Sequence, residues 1–176
     1  MTCIVAIEKN GKVFMGADRM GSNGHTGAPV SQPKIFKNGS VIIGYTSSFR
    51  MGQLLEHALE IPLVHENIDK WVAIDFMQAL RKAFTDNGWG KTKDGEIVGG
   101  TFLIAVAGRC YQIQDDYSFI RNISNEYAIG SGQDYALGSM RSTRSKADIQ
   151  KRLLEALETA AEYVVSVSAP FDFLAT

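Results

Sequence analysis

Thr2-Cys3-Ile4-Val5-Ala6-Ile7-Glu8-Lys9-Asn10-Gly11-Lys12-Val13-Phe14-Met15-Gly16-Ala17-Asp18 consists of two apolar runs joined by an Asn-Gly pair. Asn-Gly supplies the positive φ angles of a type I′ turn, so the stretch predicts a hairpin with a two-residue loop. Lys34-Ile35-Phe36, Asn38-Gly39 and Val41-Ile42-Ile43 repeat the pattern. These runs are apolar on both sides of the pleat, which requires a covering layer on each face of the sheet.

Register follows from the loop. With Asn10-Gly11 at the turn, Lys9 faces Lys12 and the pairing runs back to Cys3 opposite Asp18. Thr2 then lies diagonally beside Asp18 at the strand ends. Strict alternation puts the two on opposite faces, so the counting gives proximity and leaves orientation open. In the second hairpin it sets Lys34 near Ile43 and Gly44, just ahead of Tyr45 to Ser48. A lysine at an apolar strand start needs an anionic partner or a route to solvent.

The rest of the chain alternates between helical and strand patterns. Gly21 to Pro33, rich in Gly, Ser and Pro, reads as a loop. Ser48 is placed to cap a helix carrying Met51, Leu54, Leu55, Ala58 and Leu59, and a second helix is expected from Asp69 to Phe84. Thr101 to Val106 and Cys110 to Gln114 read as strands, with one or two short strands between Tyr117 and Ala128. A third helix is expected after Gly132 and a fourth after a capping box of Ser145 and Asp148, with a final strand over Val164 to Ser168 before Pro170. Hairpins followed by helix pairs, twice over, fit two stacked antiparallel sheets with helices outside. No repeat or linker divides the chain, so one domain over residues 1–176 is expected.

Composition excludes several classes. Lys and Arg total 18 against 19 Asp and Glu, a formal charge of −1. That balance provides no field for nucleic acid or an anionic membrane. No apolar run approaches the roughly 18 residues of a membrane span. Cys3 and Cys110 have no zinc spacing, and His25, His57 and His65 show no metal-ligand pattern, so no metal or cofactor is expected. Gly90-Lys91-Thr92 lacks the first glycine of a phosphate loop, and Gly130-Ser131-Gly132 lacks the spacing of a hydrolase elbow. With no basic n-region at its start, the chain reads as cytoplasmic with reduced thiols.

Threonine at position 2 carries chemistry of its own. With Met1 removed, as its small neighbour favours, Thr2 presents a hydroxyl and an α-amine on one residue. The amine, with a reference pKa of about 7.7–8.0, is a built-in base for the hydroxyl.

Taken together, Thr2-x-Ile4-Val5, Gly16-Ala17-Asp18-Arg19, Lys34-Ile35, Gly44 with Ser47, and Ala128-Ile129-Gly130-Ser131-Gly132 resemble the proteasome β-type and HslV-like N-terminal-nucleophile hydrolases. The resemblance runs from Thr2 to about Val165. It implies an α+β fold, a four-layer αββα sandwich, and a threonine endopeptidase working on unfolded proteins. It also implies stacked homo-oligomeric rings and an AAA+ ATPase as feeding partner. Carried over by residue, Thr2 is nucleophile and base, and Lys34 favours its deprotonation. Asp18 holds Lys34, Ser131 relays the amine proton, and the backbone N–H of Ser47 stabilises the oxyanion. Gly21, Gln32 and Phe36 fall at or near substrate-pocket positions. Ser47 stands where the family has glycine, and the family's late aspartate has no match, with Ser166 and Ser168 in its region. Two other readings use the same residues: a catalytically silent ring scaffold, and an amidohydrolase of a small amide.

Overall fold

Asn10 and Gly11 both adopt positive φ, 52° and 70°. Around them β1 (Ile4–Lys9) pairs with β2 (Lys12–Asp18) in the expected register, from Lys9 opposite Lys12 back to Ile4 opposite Ala17. The computed structural model describes residues 2–23, 25–93 and 96–176. Within the segment read as loop, β3 (Met20–Ser22) and β4 (Gly27–Pro29) form a small hairpin.

In the second hairpin the loop lies one residue later than expected, which moves each cross-strand partner by two. β5 (Ile35–Asn38) pairs with β6 (Val41–Tyr45) so that Asn38 faces Val41 and Ile35 faces Gly44, leaving Gly39 and Ser40 as the loop. Asn38 has a competing use for its side chain. Its amide donates to the carbonyls of Leu55 at 2.9 Å and Leu59 at 2.8 Å, which keeps its backbone in the strand. Lys34 is thereby drawn opposite Tyr45, whose N–H donates to the Lys34 carbonyl at 3.0 Å.

α1 (Phe49–His57) starts where expected, with the Ser48 hydroxyl accepting from the Met51 N–H. The second expected helix is one run of three parts. α2 (Ile68–Trp71), capped by Asn67, passes through a π-helical segment at Val72–Phe76 into α3 (Met77–Asp86). β7 (Lys91–Lys93) and β8 (Glu96–Val98) form a short hairpin ahead of β9 (Phe102–Val106) and β10 (Arg109–Ile113). β11 (Phe119–Ile120), β12 (Glu126–Ile129), α4 (Gln133–Ser142) and α5 (Ile149–Tyr163) follow. The cap of α5 is Asp148 itself, which accepts from the Lys151 N–H at 3.0 Å, so the expected Ser145 capping box does not form.

The last strand is displaced from its expected position. Residues 164–168 make a turn, closed by the Val167 N–H on the Val164 carbonyl at 2.9 Å, and the strand β13 (Phe171–Ala175) lies beyond Pro170. Val167 is buried against the helices while Val165 is exposed, a burial pattern set by the turn and not by a sheet.

One sheet has the order β12-β1-β2-β13 and the other β11-β10-β9-β6-β5, with antiparallel pairing in both. Alternate residues of each strand serve different layers. Ile4, Ala6, Met15, Ile42, Leu103 and Ala105 fill the space between the sheets. Val5, Ile7, Leu153 and Leu157 join the first sheet to α4 and α5. Ile43, Tyr45, Leu55, Phe76, Leu80 and Phe102 join the second sheet to α1–α3. The architecture is the αββα sandwich. Cys3 and Cys110 are free, buried and in different layers. Burial raises both thiols, Cys3 to about 12. No helix among the described residues is long and apolar enough to cross a membrane.

A buried charge cluster ties β12 to the helices. Glu126 accepts from Arg144 and from Arg152, and Arg152 also donates to the Met140 carbonyl at 2.9 Å. Burial alone works against the Glu126 charge, yet the two guanidinium groups hold its pKa below the ordinary 4.5. A carboxyl depressed in the native state contributes stability above its unfolded value, and that contribution is lost as pH falls through its native value. Glu126→Gln is therefore expected to destabilise the chain by about 3 kcal/mol at pH 7, because it strands Arg152. In urea unfolding the gap between variant and parent should narrow below pH 4.5.

Candidate active site

The N-terminal ends of β1 and β5 and the C-terminal end of β2 converge on one ion pair. Lys34 Nζ donates to Asp18 Oδ2 at 2.9 Å and to the Met20 carbonyl at 2.7 Å. Asp18 Oδ2 also accepts from the Met20 N–H at 2.9 Å, while Oδ1 accepts from the Cys3 N–H at 2.8 Å. Both side chains are buried, with Asp18 at 0 % exposure and Lys34 at 1 %. Burial pushes the Lys34 pKa below the ordinary lysine value, and the Asp18 carboxylate opposes that shift. The question of faces raised by strand alternation is resolved at the strand end. Asp18 is the last residue of β2, and its carboxylate bridges the backbone of the neighbouring strand to Lys34.

Thr2 lies between this pair and β12. Ile4 faces Ile129, so continuing the antiparallel count sets Cys3 against Gly130 and Thr2 against Ser131. The Thr2 N–H donates to Ser131 Oγ at 3.3 Å, Ser131 Oγ donates back to the Thr2 carbonyl at 3.3 Å, and the Gly132 N–H reaches the same carbonyl at 3.3 Å. Gly130 is needed for this approach: its φ is +95°, and a Cβ there would fall 2.2 Å from the Thr2 carbonyl oxygen. Thr2, Asp18, Lys34 and Ser131 are thus brought together from positions up to 129 residues apart.

Thr2 and Lys34 line a cavity of about 70 Å³ with Tyr45, Ser47 and Phe49. Ser47 is exposed and has a φ of +73°, and the Ser48 N–H donates across it to the Thr46 carbonyl at 2.9 Å. This is a γ-turn of the rarer, strained hand. It leaves the Ser47 N–H with no protein acceptor among the described residues, at the edge of the Thr2 cavity. A side chain at such a φ is the kind of local strain that concentrates at functional sites.

The three expected pocket residues part company. Gln32 lines a cavity of about 370 Å³ with Gln53, Glu56 and His57, which shares Tyr45 and Phe49 with the Thr2 cavity. Gly21 lies in β3, where a Cβ would come 2.7 Å from Val30 Cγ1. Phe36 is not brought to the cleft. Alternation along β5 turns Ile35 toward the other sheet and Phe36 into the core under α1. Ser166, one of two serines in the region where the resemblance sets a late aspartate, is buried with its hydroxyl 3.1 Å from Ser131 Oγ. Among the described residues no group of His, Cys, Asp and Glu could hold a metal ion.

The Ser47 geometry has a measurable consequence. Ser47→Gly removes the Cβ from the strained turn and is expected to stabilise the chain by about 1 kcal/mol in chemical unfolding. A loss of stability would mean that the serine side chain, and not the turn, dictates this conformation.

No protein-family profile matches the chain. Solved structures do. BPH from Thiobacillus denitrificans superposes with a TM-score of 0.83 at 20% identity, over 99% of this chain and 97% of that one. Eukaryotic HslV from Trypanosoma brucei gives 0.70 at 21% identity, over 99% and 98%. Anbu, described as an ancestral beta-subunit, from Yersinia bercovieri gives 0.68 at 14% identity, over 99% of this chain and 81% of that one. Such identities speak to architecture, and the likeness spans nearly the whole of this chain. The chain has the proteasome-like N-terminal-nucleophile hydrolase fold.

Proposed function

We propose that the protein is a threonine peptidase subunit that hydrolyses peptide bonds of unfolded polypeptides, with Thr2 as nucleophile. The observation that carries this reading is the buried Asp18–Lys34 pair beside Thr2, whose nitrogen meets Ser131. A buried ion pair is a poor source of stability compared with apolar packing. Its presence at the wall of a cavity shared with a threonine hydroxyl is explained better by chemistry than by packing.

The reaction requires the Thr2 nitrogen to be a free amine, so Met1 must be removed. As Thr2 Oγ bonds to the substrate carbonyl carbon, its proton passes to the amine and the carbonyl electron pair moves onto oxygen. The Lys34 ammonium disfavours a second positive charge nearby and favours the developing alkoxide. Asp18 anchors Lys34 and, through the Cys3 N–H, the backbone next to the nucleophile. The oxyanion accepts from the Ser47 N–H, a fixed donor that needs no reorganisation. Collapse of the tetrahedral adduct expels the leaving amine, which takes the proton from the Thr2 ammonium. Water, deprotonated by the same amine, then releases the ester.

Likeness to HslV and to Anbu, the latter described as a beta-subunit, supports assembly of this chain into a homo-oligomeric ring. An AAA+ ATPase as feeding partner and a cytoplasmic setting extend the same reading. No cofactor takes part in it.

BPH has been captured with epoxomicin, and this chain matches that complex with a TM-score of 0.81 at 18% identity, which makes a peptide epoxyketone a natural probe here. Intact mass after treatment should show one adduct per chain on the form lacking Met1, and none on Thr2→Ala. A chain lacking Met1 that forms no adduct would instead favour the silent scaffold. An adduct that persists in Thr2→Ala would place the nucleophile elsewhere.

A further inference from the structure

Ser47 and Ser48 line two cavities at once: the one that holds Thr2 and a larger one of about 540 Å³. The larger cavity continues past Met51 to Trp89, Gly99, Gly100 and Asp115, and it shares no residue with the cavity lined by Gln32. Part of its wall is bare main chain. Gly100 has a φ of +153°, and a Cβ there would fall 2.4 Å from Met51 Sδ. A Cβ on Gly99 would come 3.1 Å from the Tyr117 ring. The Gly99 peptide is clamped from both sides, its carbonyl accepting from Trp89 Nε1 at 3.0 Å and its N–H donating to the Asp115 carbonyl at 2.8 Å. Trp89, packed against Phe84, and the turn that carries Asp115 are thus fixed to one residue. Tyr117 anchors that turn, buried at a φ of +67° that a bulky residue seldom adopts.

The two acids of the turn are used differently. The Asp116 carboxylate accepts from the Ser118 N–H at 2.9 Å. Asp115 is exposed, makes no ion pair among the described residues, and is the one charged residue among those lining the cavity. The nearby Arg81 guanidinium lies 4.3 Å over the Tyr117 ring instead. We propose that this cavity takes a lysine or arginine side chain of the substrate from the acyl side of the scissile bond, its stem against Trp89 and its charge met by Asp115. A long cationic side chain buries its methylenes on apolar surface, gains from an indole and is drawn to a carboxylate. A neutral side chain of the same length gains only the first of these. The proposal rests on the peptidase reading for the direction of the bound chain. There the leaving amine takes its proton from the Thr2 nitrogen, which Ser131 holds on the β12 flank. Ser131 lines neither cavity, so the acyl segment is the one that runs past Ser47 into the larger space.

Binding is read first, in Thr2→Ala chains, so that cleavage plays no part. The probes are short acetylated alanine peptide amides with one lysine moved a position at a time, and the same peptides with norleucine. Trp89 fluorescence reports occupancy, and Trp89→Phe gives the background from the buried Trp71. Lysine at one position should bind about fivefold more tightly than norleucine, the scale of an exposed charge pair aided by an indole. That advantage should disappear in Asp115→Asn and return in Asp115→Glu, with thermal unfolding confirming that both variants fold. Equal or absent binding of the two peptide series, or an advantage that survives Asp115→Asn, overturns the proposal. Peptidyl aminocoumarin amides, which vary the acyl side alone, are then compared by kcat/KM in active chains beginning at Thr2. Cleavage indifferent to lysine overturns the acyl-side subsite and leaves the peptidase standing. Lysine-selective binding with no cleavage of any peptide defeats the peptidase and leaves the cation-binding cavity standing.

Discussion

The ion pair between Asp18 and Lys34 is the constraint on which the site depends. Moving two charges out of water costs several kcal/mol per ion, so each must be matched in full or the strand ends would open to solvent. Asp18 meets this by accepting from Lys34, Met20 and Cys3, and Lys34 by adding the Met20 carbonyl to the carboxylate. Those bonds lock three pieces of chain: the start of β1, the exit from β2 and the approach to β5. Thr2 precedes the first of these pieces, and its position follows from theirs.

The opposite flank is held by uncharged hydrogen bonds, from the Ser131 hydroxyl and the Gly132 N–H. β1 lies between β2 and β12, so Thr2 has a neighbour on each side at the same level of the sheet. On one side that neighbour is charged; on the other it is Ser131, brought close by a glycine that leaves no room for a Cβ. In the peptidase proposed above, the two flanks would divide the chemical work, with charge on the β2 side acting on the Thr2 hydroxyl and the neutral β12 side holding its nitrogen. Ser47 adds a third element from the turn between β6 and α1, a backbone donor in a conformation that its side chain disfavours.

How much of this is legible in the sequence differs by element. The β1–β2 register can be counted because Asn10-Gly11 sets it locally, and that count puts Asp18 beside Thr2. The second hairpin misleads by one residue in its loop, since Asn38 answers to carbonyls of α1 and of Leu59 just beyond it, partners that local turn chemistry does not reveal. The pairing of β1 with β12 spans more than a hundred residues and leaves no local trace, so Ser131 is indicated only by the resemblance. Ser166 is singled out only by its region, and its contact with Ser131 is not legible because the run around it reads as a strand where a turn forms. Phe36 fails for a simpler reason: strand alternation buries it, and a motif position carries no direction.

On this account Thr2 is reactive through its nitrogen, with every other group acting on that residue. A peptide bond to Met1 would leave the ion pair, Ser131 and Ser47 in place and remove only the base. The most direct test compares two otherwise identical chains, one beginning at Thr2 and one retaining Met1, for hydrolysis of an unfolded protein at equal concentration and equal state of assembly. Activity in the first and none in the second is the predicted result. Equal activity in both would contradict the central claim, because a chain without a free amine would then have found its base elsewhere.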